Sequence, residues 1–326
     1  MKNLLCIALA MASVIAAAPS AAQAPYPSRP IKLVVPLAPG GATDTVARVV
    51  AKQLSISMNT PVVVENRTGA GGLIALDYMA RAPADGYTLF IGNVSTNALA
   101  EVVSASKLKV KPTEALMGVT MLAIIPHLLV SSTNFEPQSV QQLISYAKAN
   151  PGKVNHASPG VGSYSMLDML TFERAAALNM VHVPYNGGAG QYLVPLVSGE
   201  VQIAFINASS VLEMVKGGKL RALAVTTTER LPELPSVPTM AESGFPGIGT
   251  NAWQGLFVPR GTPAPVLQSL YDHVAAVLRR DDVKQTFEKT LIVPTASKSP
   301  ADFDNFVREE AARWSRTVKD LNVKTD

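Results

Sequence analysis

Apolar positions along this chain follow two alternating rhythms. Short runs of branched and aliphatic residues at 31–35, 62–65, 88–91, 127–131, 154–157, 181–183, 201–206 and 220–226 read as strands. Between them, segments such as 44–58, 140–149, 191–197 and 211–216 place apolar residues at helical spacing. The first helix shows this best, with Val46, Val50, Leu54 and Met58 every fourth residue and Val49 beside them. Two later helices open on a hydroxyl residue followed by proline, Thr262-Pro263 and Ser299-Pro300, and Asp302 complements the dipole of the second. Trp314 reads as core packing on that last helix. The alternation predicts an α/β fold with largely parallel sheets.

Two apolar segments, 126–132 and 253–259, stand outside this rhythm, and each leads into a new block of structure. They read as two strands crossing between domains. The first domain is then discontinuous, 26–127 plus 250–326, and the second is the insert 128–249. A cleft flanked by two crossings suits hinged closure around a ligand. The 326 residues also fit two cores better than one, because single cores stop growing near about 250–300 residues.

The first 22 residues are set apart from the fold. Lys2, the apolar run 4–15 and the small residues Ser20-Ala21-Ala22 form the pattern of a secretory signal cleaved near Ala22, and predict a periplasmic location. The single cysteine, Cys6, lies inside that segment, so a mature chain would hold no disulfide and no cysteine-based metal site. With 48% hydrophobic and 16% charged residues the chain is globular in composition. Its formal charge is +4, one of which is Lys2, and no basic run exceeds the Lys107/Lys109/Lys111 alternation or the Arg279-Arg280 pair. That excludes a nucleic-acid partner.

Candidate chemistry gathers where strands end. Five turns built from Gly, Ser, Thr and Asn follow predicted strands: 38–44, 92–96, 158–163, 184–188 and 206–209. Carboxyl ends of strands are where open α/β sheets bind ligands. In the first turn, Gly40 and Gly41 allow close backbone approach, and Thr43 or Asp44 can cap the following helix. None of the five turns contains Lys or Arg, so an anion there would rest on backbone N–H groups, hydroxyls, amides and water. Asp44 argues against a phosphate; it either orders its own loop or meets an ammonium group. Tyr185 offers an amphipathic wall or simply packs.

Catalytic signatures are absent. Gly160-Val161-Gly162 lacks the third glycine of a dinucleotide fingerprint, and Gly152-Lys153 and Gly218-Lys219 lack the rest of a phosphate loop. There is no Gly-x-Ser-x-Gly elbow. His127, His156, His182 and His273 are scattered singly, without metal-ligand spacing, and His156 and His182 read as core or edge residues. No cofactor is expected. A serine hydrolase assembled in space from Ser163, a histidine and Asp44 is the competing class.

In order, the markers Tyr26-Pro27-Ser28-Arg29-Pro30, Gly40-Gly41-Ala42-Thr43-Asp44, Val64-Glu65-Asn66-Arg67 with Gly69-Ala70-Gly71-Gly72, and Ala84-Asp85-Gly86-Tyr87 recur. They are followed by Asn150-Pro151-Gly152-Lys153, His182-Val183-Pro184-Tyr185, Gly218-Lys219-Leu220-Arg221-Ala222, Leu234-Pro235-Ser236-Val237-Pro238, and Trp253-Gln254-Gly255-Leu256 with Pro259-Arg260-Gly261-Thr262-Pro263. Over nearly its whole length this series resembles a solute-binding protein of the tripartite tricarboxylate transporter family, also called the Bordetella uptake gene family. The resemblance implies a two-domain, type II-like periplasmic binding protein fold that captures a carboxylate and delivers it to membrane permease subunits. It also implies that the 38–44 loop and loops of the second domain hold the carboxylate, partly through water. The chain departs from the family pattern where Asn186 replaces a frequent Lys, Met166 a frequent His and Asn207 a frequent Asp. It also lacks the usual Pro-Tyr-Asp-Pro segment between Ala100 and Met121.

The expectation is therefore a monomeric, non-enzymatic receptor for a small organic carboxylate, aliphatic or aromatic, with two carboxyl groups. Its candidate binding residues are Ala38, Gly40, Gly41, Thr43 and Asp44 with Ser95 and Thr96 on one side of the cleft. On the other are Ser158, Gly162, Ser163, Tyr185, Gly187 and Asn207. The alternatives are the hydrolase above and a carboxylate sensor that feeds a signalling partner.

Overall fold

A computed structural model describes residues 26–185 and 188–323; the predicted signal segment, Asn186 and Gly187 lie outside the described residues. Two sheets organise the chain. The first begins with β1 (Ile31–Val35), β2 (Val62–Asn66) and β3 (Thr88–Asn93), all parallel, and continues with β4 (Leu116–Ile125). The second holds β5 (His127–Ser132), β6 (Asn155–Ser158), β7 (Val181–Pro184), β8 (Ile203–Asn207) and β9 (Leu220–Val225), in the order β7-β6-β8-β5-β9. The chain then returns through β10 (Ala252–Pro259) and β11 (Val293–Pro294), giving the first sheet the order β11-β4-β10-β3-β1-β2. In each sheet the parallel strands (β2-β1-β3 and β7-β6-β8) sit beside antiparallel neighbours that belong to the crossings.

The first crossing is short: β4 ends at Ile125, β5 begins at His127, and Pro126 alone lies between them. The return runs through 226–251 and delivers the chain to the middle of the first sheet, where β10 pairs antiparallel with both β3 and β4. Strand β4 was missed from the sequence. It is buried along almost all of its ten residues, so it lacks the alternation of a half-exposed strand.

Eleven helices cover the sheets among the described residues: α1 (Ala42–Ser57), α2 (Leu73–Met79), α3 (Ala100–Val103), α4 (Pro112–Ala115), α5 (Val140–Ala149), α6 (Tyr164–Ala176), α7 (Leu193–Ser198), α8 (Ala208–Lys216), α9 (Ala264–Arg279), α10 (Asp281–Glu288) and α11 (Pro300–Asp320). Helix α1 buries Val46, Val50 and Leu54 completely, together with Ala47, against one face of the first sheet, where α9 joins it. Each such Val or Leu contributes about 1.5–3 kcal/mol by leaving water. The opposite face packs on α2, α3 and α11, with Phe303 lying across the middle strands. Glycines make that approach possible: a Cβ on Gly118 would sit 2.6 Å from the Phe303 ring, and one on Gly255 only 2.2 Å.

Helix α6 belongs to both cores. Its Met169, Phe172 and Ala176 pack with Leu129, Ile203 and Phe205 of the second sheet. Its Tyr164, Met166 and Leu167 pack instead with Val34, Val94, Ala98 and Trp253 of the first. Asp168, on the same helix, accepts the Thr250 backbone N–H (2.9 Å) and the Thr250 hydroxyl (2.8 Å), tying α6 to the returning chain. His127 is buried beside it, its Nδ1 3.5 Å from Asp168 and its ring stacked on Tyr164 at 4.8 Å.

Candidate functional site

Strands β1, β3, β6 and β8 each end in a loop or turn that leads into a helix, and in each half these junctions share one end of the sheet. The β1–α1 loop is the most open of them. Gly40 adopts a left-handed φ of +85°, and a Cβ there would meet nothing within 4 Å; one on Gly41 would meet only Ala38 O at 3.8 Å. Bare backbone therefore faces free space. Gly41, not Thr43 or Asp44, is the N-cap of α1, and no side chain caps it. That corrects the sequence expectation: helical geometry begins at Ala42, so Thr43 and Asp44 already lie in the first turn, both buried. The uncapped first-turn N–H groups and the positive dipole end favour an anion.

Asp44 builds this loop. Its Oδ2 accepts the Gly40 N–H (3.0 Å) and Arg48 Nε (2.8 Å); its Oδ1 accepts Arg48 Nη2 (3.0 Å) and Asn66 Nδ2 (2.9 Å). Burial pushes the carboxyl upward, but Arg48, the Gly40 amide and Asn66 outweigh it and hold Asp44 below the ordinary carboxylate range. Four donors fill the four acceptor positions of a carboxylate. No position is left for a ligand ammonium, so Asp44 orders the loop, and Arg48 neutralises the charge that would repel an anion. Asn66, at the end of β2, also donates to Leu37 O (2.9 Å) and braces the loop from its other side. It was missed from the sequence because its role depends on β2 lying beside β1.

A second glycine turn completes this side. Gly69-Ala70-Gly71-Gly72 leads into α2, and Gly72, the N-cap of α2, has φ +100°. A Cβ on Gly72 would lie 2.7 Å from Thr96 Cγ2 and 3.1 Å from Pro36 Cβ, so three loops meet there. Thr96 and Asn93 form a reciprocal cap on the short π-helix Val94–Leu99, and the Thr96 hydroxyl also donates to Asn97 Oδ1 (2.7 Å). Thr96 is 1% exposed and structural, whereas its neighbour Ser95 stays partly exposed.

On the other half, the 158–163 loop touches the first. A Cβ on Gly162 would lie 2.6 Å from Val103 Cγ2 of α3. Ser163 is the N-cap of α6: its hydroxyl donates to Gly160 O (2.8 Å) and accepts the Met166 N–H (3.4 Å). Ser158 is fully buried, with Oγ 2.7 Å from His182 Nε2 and bonded to Gly160. Burial, and His156 stacked 5.0 Å away, push His182 down to about 4, so it is neutral at neutral pH. Asn207 ends β8 as the N-cap of α8, and its Oδ1 accepts the Tyr164 hydroxyl (3.3 Å). The Tyr185 hydroxyl is directed at Glu200 Oε1, 3.5 Å away. Gly187 lies outside the described residues.

The triad foreseen as an alternative is not assembled. Ser163 bonds to backbone groups alone, and Asp44 is paired to Arg48. Among the described residues no group of three or more His, Asp or Glu side chains is placed to hold a metal ion, and no helix is long and apolar enough to cross a membrane.

The tripartite tricarboxylate transporter family receptor model matches residues 46–323. The chain belongs to that receptor family. Protein BugT of Bordetella pertussis is 36% identical over 301 residues, which span 92% of this chain and 91% of BugT. Among solved structures, that of R. palustris Rpa4515 with adipate superposes with a TM-score of 0.86 at 35% identity, covering 91% of this chain and 98% of that one. MatC (Rpa3494) from Rhodopseudomonas palustris with bound malate gives a TM-score of 0.83 at 33% identity, covering 90% and 100%. The fold of this tripartite tricarboxylate transporter receptor is the two-sheet α/β fold of periplasmic binding proteins.

Proposed function

We propose that this receptor captures a small dicarboxylate between its two halves in the periplasm and hands it to membrane permease subunits. The observation that carries the reading is the uncapped, glycine-lined start of α1, whose only carboxylate is already neutralised by Arg48. Two relatives of similar fold were solved with adipate and with malate, and both ligands are dicarboxylates. On this reading the halves 26–127 plus 250–326 and 128–249 are domains hinged at Pro126 and in the 226–251 return. One carboxylate rests on Gly40, Gly41, Thr43 and Ser95, and the second domain approaches with Gly162 and Asn207. The receptor acts as a monomer and performs no chemistry.

The test is thermal unfolding of the mature protein against mono-, di- and tricarboxylates, with amino acids and sugars as controls. A ligand at about a hundred times its Kd adds about 2.7 kcal/mol, a shift of several degrees for a chain of this size. Binding persists from low to physiological salt, because local hydrogen bonds and not a basic surface hold the anion. The reading is wrong if no carboxylate shifts the melting temperature.

A further inference from the structure

Strand β10 places a polar side chain in a position that no loop motif marks. Gln254 is 1% exposed, and its Oε1 is buried without a hydrogen-bond partner among the described residues. Buried amides are almost always satisfied, so an orphaned one calls for a reason. Its register supplies one. Gln254 pairs across the strands with Asn93, the last residue of β3 and the cap of the Val94–Leu99 turn that holds Ser95. Cross-strand partners project from the same face of a sheet. Along β10 that face continues with Leu256 and Val258, which pack into the core under α1. Gln254 therefore stands at the loop end of the sheet, on the side of α1, whose N-terminus forms the glycine cradle. The pairing of β10 with β4 slips here because β4 carries the extra residue, Leu122, while β10 keeps unbroken register with β3, so the face assigned to Gln254 stands.

We propose that Gln254 is a ligand-contacting, specificity-determining residue: from the floor of the cleft its Nε2 donates to a carboxylate oxygen of the bound ligand, and its unpartnered Oε1 accepts from a hydroxyl beside that carboxylate. The inference rests on the receptor reading above and adds to it a recognition element from the returning strand. An uncharged amide there offers a hydrogen bond without a countercharge, matching the loops around it, which hold no free cation.

The test compares wild type with Gln254→Leu, Gln254→Met and Gln254→Glu, using succinate, malate and adipate as probes in calorimetric titrations and in melting of the ligand-free proteins. A ligand contact predicts at least ten-fold weaker binding of the best probe by the Leu and Met variants. The Glu variant loses more than either at pH 7, because its carboxylate faces the ligand's, and recovers part of the loss at pH 5. Ligand-free melting distinguishes the roles: an orphaned polar group removed from a core leaves the Leu or Met variant at least as stable as wild type, whereas a structural glutamine would leave both less stable. Unchanged affinities and ligand ranking in all three variants overturn the assignment while the receptor reading stands. A wild-type protein that binds no carboxylate overturns both.

Discussion

Asp44→Asn tests the construction of the cradle most directly. The substitution keeps size and one acceptor but turns a carboxylate oxygen into an NH2 group. Placed at Oδ2, that group faces the Gly40 N–H and Arg48 Nε, two donors; placed at Oδ1, it faces Arg48 Nη2 and Asn66 Nδ2. Either orientation loses two charge-assisted bonds, each with a net contribution of about 1.5–3 kcal/mol when made to a charged group. Arg48 is half exposed and regains water, so the expected loss is about 2–3 kcal/mol, less than the full sum. For a chain of this size that is a fall of roughly 5–10 °C in Tm. Arg48→Met alone costs about 1 kcal/mol, and the double variant is less destabilised than the two losses added, by about 1 kcal/mol of coupling. The pH dependence has a fixed sign. Because the folded carboxyl is held below its unfolded value, its stabilisation is complete above about pH 4 and fades as pH falls through the lowered folded value. The gap between wild type and Asp44→Asn therefore narrows in acid. Urea and thermal unfolding at pH 7 and pH 3.5 read all of this. A variant that melts within a degree of wild type at pH 7, with no coupling to Arg48, refutes the account of the loop.

Three further outcomes are expected. His182 is neutral in the folded protein down to about pH 4, while an unfolded histidine protonates near 6.5; stability is full above that value and declines as pH falls toward 4. The loss, about 1–2 kcal/mol after allowing for partial exposure, disappears in His182→Gln and is measured by denaturation between pH 4 and 7. Gly72→Ala forces a Cβ against Thr96 and Pro36 at a left-handed φ, so it lowers stability by about 1–3 kcal/mol and weakens carboxylate binding in the same titrations that test Gln254. Asp168→Ala strands the buried Thr250 N–H and hydroxyl and costs about 3 kcal/mol in urea denaturation; a loss under 1 kcal/mol would show that this tie contributes little.

Much of the architecture is legible in residue order, because strand runs and helical periods alternate and each junction carries its own turn chemistry. The β1–α1 loop stands out for the same reason: two glycines between an apolar strand and an amphipathic helix admit few readings. What the sequence hides is partnership. Asp44 and Arg48 are a visible i, i+4 pair, but Asn66 joins them only because β2 lies beside β1. Thr96 reads as a ligand-binding candidate, and only the structure reveals that its hydroxyl accepts the Asn93 N–H and donates to Asn97 Oδ1. Strand β4 and Gln254 escape for a related reason: burial on both faces removes periodicity, and a single polar residue within an apolar strand acquires meaning only from its register.

Helix α6 is a party wall. Met169 and Phe172 seal one core while Met166 and Leu167 seal the other, and Asp168 between them holds the returning chain. Neither half can melt without stripping part of the other's lining, so their unfolding is coupled and heat should register as one calorimetric peak, not two. The same wall limits how the halves can part. A separation that leaves α6 with one half exposes its far side to water, and an apolar side chain so exposed forfeits about 1.5–3 kcal/mol. Any hinged opening of this kind carries that cost, and closure around a ligand recovers it.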